Sequence, residues 1–241
     1  MVLSRFGQNV LLAIAAIRIL FNKFVVQKIF RKPPPVNWLA CKVLCLGLDG
    51  AGKTSLVRHA CDAATTTAAD TATAAIEPTS GFDVRTVTVP PDVKLEVWEV
   101  GGGKPLRPFW VRYVDGSIDG LVWVVNLADP GRAGESATEL ATLVKATPGL
   151  RRKPLLVLLS QSDRLPSGGR DEADAVQGAL GLAGLPRTGP LKVCCTSATD
   201  GRGLQDGLQW LTDEILERGG GALDGAAQAA VTQAQVTLER T

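Results

Sequence analysis

Between Gly47 and Thr54 the chain reads Gly-Leu-Asp-Gly-Ala-Gly-Lys-Thr, and no other stretch of eight residues restricts its fold as strongly. The pattern G-x-x-x-x-G-K-[ST] is a phosphate-binding loop when it follows a strand and opens a helix. Both contexts are present, because Lys42 to Leu48 is a short apolar run and the residues from Lys53 onward suit a helix. In such a loop the glycines let backbone N–H groups turn inward around phosphates, and the helix N-terminus adds positive potential. Lys53 would then neutralise the β and γ phosphates, and the Thr54 hydroxyl would bind Mg2+. The bland alternative is a glycine-rich turn with no ligand. Chance produces the string in roughly one to two per cent of chains this size, and its placement between strand and helix lowers that further.

The rest of the chain alternates in the way that loop requires. Val84 to Val89 and Val93 to Val100 are β-rich runs separated by Pro90-Pro91, which predicts a hairpin. Leu121 to Asn126, Leu155 to Ser160 and Leu191 to Cys195 are three more apolar strands, each followed by a helix-compatible stretch. Strands that are apolar along their whole length are buried on both faces. The expected fold is therefore α/β: a doubly wound P-loop domain with a roughly six-stranded, mainly parallel sheet and helices on both faces. Leu204 to Leu216, with Trp210, reads as the closing helix, and Gly219 to Gly221 ends it. The expected organisation is an apolar, basic N-terminal helix over 1–32, a proline-rich spacer over 33–40, the α/β domain over 41–218 and a Gly/Ala/Gln-rich tail over 219–241. Ala60 to Ile76 is a low-complexity Ala/Thr stretch.

Charge separates the head from the body. Residues 1–32 carry Arg5, Arg18, Lys23, Lys28, Arg31 and Lys32 and no acid, whereas the rest holds four more acids than bases. A mildly acidic body argues against a nucleic-acid partner. The basic head points to an anionic membrane or an import receptor. Ile14, Ile17, Phe21, Phe24 and Val25 recur at helical spacing, but Phe6 to Ile17, the longest uncharged stretch of this head, is short of the ~20 residues that cross a bilayer. An interfacial helix, a spanning helix with snorkelling Arg18 and Lys23, a helix packed on a partner and an import presequence all remain open. Val2 stands where N-myristoylation needs glycine. The five cysteines form no C-x-x-C pair and His59 is the sole histidine, which disfavours a zinc site and a histidine-activated nucleophile.

Beyond the loop, four segments resemble one family. Gly47 to Ser55 is similar to the phosphate loop of the Arf and Arf-like small GTPases, and Pro78-Thr79-Ser80-Gly81-Phe82 to their switch I. Trp98-Glu99-Val100-Gly101-Gly102 resembles the opening of their switch II, continued in register by Leu106-Arg107-Pro108-Phe109-Trp110 and Tyr113. The resemblance covers about Lys42 to Glu217 and implies GTP or GDP with Mg2+. It implies nucleotide contacts from Asp49, Gly50, Ala51, Gly52, Lys53, Thr54, Ser55, Thr79, Gly102, Gln161, Asp163, Ser197 and Ala198. Thr54 and Thr79 would be metal ligands, with Glu99 reaching the ion through a water. Phe82, Trp98 and Tyr113 fall where the family keeps an aromatic triad that meets effectors, although plain packing between hairpin and switch II is the alternative.

The departures carry as much information. The family's water-orienting glutamine falls at Gly103, so no residue of this chain is assigned a catalytic role and hydrolysis is expected to be very slow. A Gly-Gly-Gly at this place also resembles the ciliary branch of Arf-like proteins that act as exchange factors. Glu99 replaces an aspartate and is one methylene longer. The guanine motif N-K-x-D reads Ser160-Gln161-Ser162-Asp163, which keeps the aspartate but loses the bracing amide and the lysine that lies over the base. Ser197-Ala198-Thr199 matches the element whose backbone donates to guanine O6. The sequence thus predicts a membrane-associated nucleotide switch or scaffold whose effectors or complex subunits meet the aromatic triad and switches. The alternative is a structural subunit of a large membrane complex with a fixed nucleotide. The expected place is the cytoplasmic face of an organelle or ciliary membrane, or the mitochondrial inner membrane.

Overall fold

The computed structural model describes residues 40–64, 79, 81–90, 93–114, 117–166 and 170–218. The expected N-terminal helix, its spacer as far as Leu39, most of the Ala/Thr stretch, Pro78, Ser80, Pro91 and the tail lie outside the described residues, whereas Ala40, read as the spacer's last residue, opens the first strand.

Six strands form one sheet in the order β2-β3-β1-β4-β5-β6. They are β1 (Ala40–Leu46), β2 (Phe82–Val89), β3 (Val93–Val100), β4 (Gly120–Asn126), β5 (Leu155–Ser160) and β6 (Leu191–Cys195). Only β2 and β3 run antiparallel, in the predicted hairpin, with Val89 opposite Val93. The other neighbours are parallel, as the helical crossovers between them require. The sheet is the expected one, with four strand ends shifted: β1 begins at Ala40, before Lys42, β4 begins at Gly120, before Leu121, and two further ends have a visible cause. β1 stops at Leu46 because Gly47 has φ +148°, where a Cβ would run into the Val124 carbonyl of the neighbouring strand. β2 begins earlier than Val84, at Phe82, because Gly101 donates to the Gly81 carbonyl and extends the ladder.

Alternate residues of the central strands supply two separate cores. Leu44, Leu46, Trp123, Val125, Leu155 and Val157 pack beneath α3 (Ala133–Ala146) and α4 (Arg170–Leu180). Val43, Cys45, Val122, Val124, Leu156 and Leu158 pack beneath α1 (Lys53–Ala64) and the closing helix, α5, over 204–218. Strands so buried on both sides read as unbroken apolar runs. Burying an aliphatic side chain contributes roughly 1.5–3 kcal/mol, and the two layers together hold the phosphate loop on rigid strands. A short helix, α2 (Trp110–Tyr113), anchors switch II. Its Trp110 is buried edge-on to Trp123 at 5.5 Å and donates its indole N–H to the Gly101 carbonyl at 3.0 Å.

Candidate functional site

The turn after β1 lies between β3 and β4, the carboxyl-end position where open α/β sheets place ligands. An open cleft of about 640 Å3 forms there, within the range of small-molecule sites. Asp49, Gly50, Ala51, Gly52, Lys53, Thr54, Ser55, Thr79, Glu99, Gly102, Gly103 and Gln161 line it, joining ten of the thirteen nucleotide-contact residues named from sequence. Lys53, 6% exposed, donates from Nζ to the Gly47 and Leu48 carbonyls at 2.9 Å each. Burial pushes its pKa down, while the nearby Cys45, Glu99 and Asp49 pull it back up.

In the lining of the cleft three side-chain oxygens converge. The Thr54 hydroxyl donates to Glu99 Oε1, the Thr79 hydroxyl lies 3.2 Å from the same oxygen, and the two hydroxyls are 3.2 Å apart. Glu99 is 1% exposed, and its second oxygen, Oε2, is buried without a hydrogen-bond partner. An all-oxygen triad with an orphaned carboxylate oxygen fits a hard cation such as Mg2+.

Gly102 sits directly on the phosphate loop. A Cβ there would strike the backbone of Gly47, Leu48 and Asp49. Its carbonyl accepts from the Asp49 N–H at 3.2 Å and from Arg107 Nε at 2.9 Å. Gly103 beside it is open, with only Pro105 Cδ 3.8 Å from a Cβ built there. Behind both lies an ion cluster that the sequence reading did not find. Arg107, 7% exposed, pairs with Asp49 at 3.0 Å, Glu135 at 2.7 Å and Glu139 at 3.2 Å, while Arg132 pairs with Asp49 and Glu135 at 2.9 Å each. Hydrogen bonds from Arg132 and then Arg107 hold the Glu135 carboxyl down at about 2. Arg132 likewise lowers the pKa of Asp49. The cluster joins phosphate loop, switch II and α3; Arg132 and Glu135 stand at i,i+3, but Asp49 and Arg107 are too far from them in sequence for a spacing rule to have linked all five.

The eroded guanine motif also behaves differently from the reading of lost function. Ser160, expected to leave the loop unbraced, has its hydroxyl 2.5 Å from the Ala51 carbonyl and 3.1 Å from that of Val125, so it ties β5 to the phosphate loop itself. Gln161, in a left-handed conformation at φ 62°, donates from Nε2 to the Gly50 carbonyl at 3.3 Å, and Asn126 Nδ2 approaches the same oxygen at 3.4 Å. Asp163, Ser197 and Ala198 do not line the cleft. They stand together beside it, where the Thr199 hydroxyl bonds Asp163 at 3.2 Å and the buried Ser197 hydroxyl accepts from the Thr199 and Asp200 N–H groups.

On the outer face Phe82, 53% exposed, stacks on Trp98 with ring centres 5.7 Å apart and planes at 7°, and Tyr113 completes the group at 5.8 Å. Lys42 lies over the Trp98 ring at 4.3 Å. The cysteines are unpaired thiols, and burial pushes Cys41 up to about 11 and Cys45 to about 12, which suits packing and not reactivity. Among the described residues no group of three or more His, Cys, Asp or Glu is arranged to hold a metal ion.

Comparison with known proteins agrees with this geometry. The family model of the ADP-ribosylation factor family matches residues 27–215. ADP-ribosylation factor-like protein 3 of Chlamydomonas reinhardtii is 32% identical over 174 residues, which is 72% of this chain and 90% of that one. ADP-ribosylation factor-like protein 1 of Caenorhabditis elegans is 34% identical over 178 residues, covering 73% and 90%. Among solved structures, the Arl6 BBS3 small GTPase of Trypanosoma brucei, with bound nucleotide analogue GppNp, superposes with a TM-score of 0.61 at 25% identity, covering 74% of this chain and 98% of that one.

Proposed function

The chain belongs to the ADP-ribosylation factor family of small GTPases, and on that basis we propose a membrane-associated guanine-nucleotide switch or scaffold that hydrolyses GTP very slowly on its own. The observation that carries the reading is the combination of an intact phosphate cleft with a bare Gly103. Lys53 and the N-terminus of α1, which opens directly behind the loop, would supply positive potential for the phosphates. Thr54, Thr79 and Glu99 would hold Mg2+, which when bound offsets the charge of the β and γ oxygens. Thr79 and Gly102 stand on the two switch segments, so a γ-phosphate would order both at once and present Phe82, Trp98 and Tyr113 to an effector. Asp163 would accept from the guanine N1–H and 2-amine, and Ala198 N–H would donate to O6. Residues 1–32 would attach the domain to the cytoplasmic face of an organelle or ciliary membrane, or to the mitochondrial inner membrane.

Gly103 has no side chain with which to orient a water for attack on the γ-phosphate. Intrinsic hydrolysis by Ras, which has that group, is about 3–5 × 10⁻⁴ s⁻¹, and losing it adds about 1.4 kcal/mol or more to the barrier. Single-turnover hydrolysis by the isolated chain is expected below about 10⁻⁴ s⁻¹. Gly103→Gln has room for its side chain and should raise the rate about tenfold. A wild-type rate at or above that of Ras would move the protein into the enzyme class. A second reading, a structural subunit with a permanently held nucleotide, draws on the Ser160 and Gln161 ties that staple the guanine loop to the phosphate loop. Absence of both exchange and hydrolysis, with nucleotide co-purifying, would favour it.

A further inference from the structure

Resting on the nucleotide reading above, we infer that Glu99 binds the divalent ion directly, as a third side-chain ligand beside Thr54 and Thr79, where an aspartate would act through a water. Mg2+ holds oxygen ligands at 2.0–2.1 Å in a near-regular octahedron, which sets adjacent ligand oxygens about 2.9 Å apart. The Thr54 and Thr79 hydroxyl oxygens are 3.2 Å apart, Thr79 is 3.2 Å from Glu99 Oε1, and Thr54 is hydrogen-bonded to that same oxygen. The two edges that meet at Thr79 are thus near the spacing of one triangular face of such an octahedron, and the closer Thr54–Glu99 contact would have to widen to admit the ion.

Glu99 is fixed in this place by its backbone. It lies near the end of β3 with Cys45 of β1 on one side and Asp83 of β2 on the other. Its side chain is 1% exposed, Oε2 has no protein partner, and among the described residues no cation forms an ion pair with it. Lys53 is the positive charge near this carboxylate, but Oε2 has no bonded partner, and a divalent ion on the Thr54–Thr79 edge would add charge in direct contact with the group. An aspartate on the same backbone would withdraw the carboxylate by about 1.5 Å, one carbon–carbon bond, and open the gap that a water fills. The longer side chain thus exchanges a water ligand for a protein ligand.

The consequence is a change in the number of waters on the metal, which can be counted. Mn2+ takes the same oxygen donors and is visible by electron paramagnetic resonance. The full-length chain would be loaded with Mn2+ and a non-hydrolysable GTP analogue, and the line broadening in ¹⁷O-enriched water measured. With two phosphate oxygens and three side-chain oxygens on a six-coordinate ion, wild type should carry about one water and Glu99→Asp about two. Glu99→Gln, which removes the charge with little change of shape, should weaken Mn2+ roughly tenfold or more. Two waters on the wild-type complex, equal counts in wild type and Glu99→Asp, or unchanged Mn2+ affinity in Glu99→Gln would each overturn the assignment and leave the nucleotide reading standing. Failure of the analogue to bind, or binding of it that ignores the divalent ion, would overturn both. The wild-type count decides the matter even where a variant does not fold.

Discussion

Lys53 shows how a single side chain can be committed to a ligand before the ligand arrives. Its ammonium is buried under the loop and held by two carbonyls at 2.9 Å, a position that costs desolvation unless anionic charge is delivered to it. Lys53→Ala should lower nucleotide affinity by at least about a hundredfold, because removing one partner of a buried charge interaction costs roughly 3 kcal/mol or more. Calorimetric titration with GDP checks this, and binding within a few-fold of wild type would refute the loop's assignment. At this scale the sequence was a good guide wherever chemistry is written into a local string. Lys53 and Thr54, named from the motif, and Gly102, named from the resemblance, line one cleft. The sequence was a poor guide to Arg107, whose partners come from two distant places in the chain, Asp49 in the loop and Glu135 and Glu139 on α3, and whose role depends on tertiary burial.

The elements were legible for the reason that made them fold. Strand β5 is apolar at every position from Leu155 to Leu159 and β4 from Leu121 to Val125 because helices cover both faces, and that gives runs that no amphipathic helix produces. What could not be read was how the loops at their ends brace one another. Substitution of the expected asparagine by Ser160 looked like a loss, yet a hydroxyl 2.5 Å from the Ala51 carbonyl makes the same kind of tie with a shorter arm. Ser160→Ala should leave the buried Ala51 and Val125 carbonyls with one donor fewer and destabilise the domain by about 1–2 kcal/mol. Urea unfolding measures that cost, and stopped-flow release of a fluorescent GDP should be faster in the same variant. A variant as stable as wild type, with unchanged release, would mean that the tie contributes nothing.

For the molecule as a whole, the sheet, its two cores and the cleft form one block over the described residues from Ala40 to 218, while the basic head is a separate physical problem posed by sequence alone. Six cations without an acid, joined to the Ile14, Ile17, Phe21 and Phe24 stripe, give both electrostatic attraction to anionic lipid and apolar area to bury. Removing residues 1–32 should therefore abolish flotation with anionic liposomes while leaving the circular dichroism of an α/β domain. Equal flotation of both forms would exclude the head as the membrane anchor. Full-length protein that resists carbonate extraction would replace an interfacial helix with a spanning one.

The central claim is that this cleft, with its altered guanine loop and Gly103, still holds a guanine nucleotide. Denaturing the purified full-length chain and identifying what it releases by mass spectrometry tests it most directly. GDP or GTP in near-stoichiometric amount is the result predicted from Asp163, Ala198 and the Lys53 loop. Release of an adenine nucleotide, or of none from protein that also fails to take up added GTP with Mg2+, would contradict it.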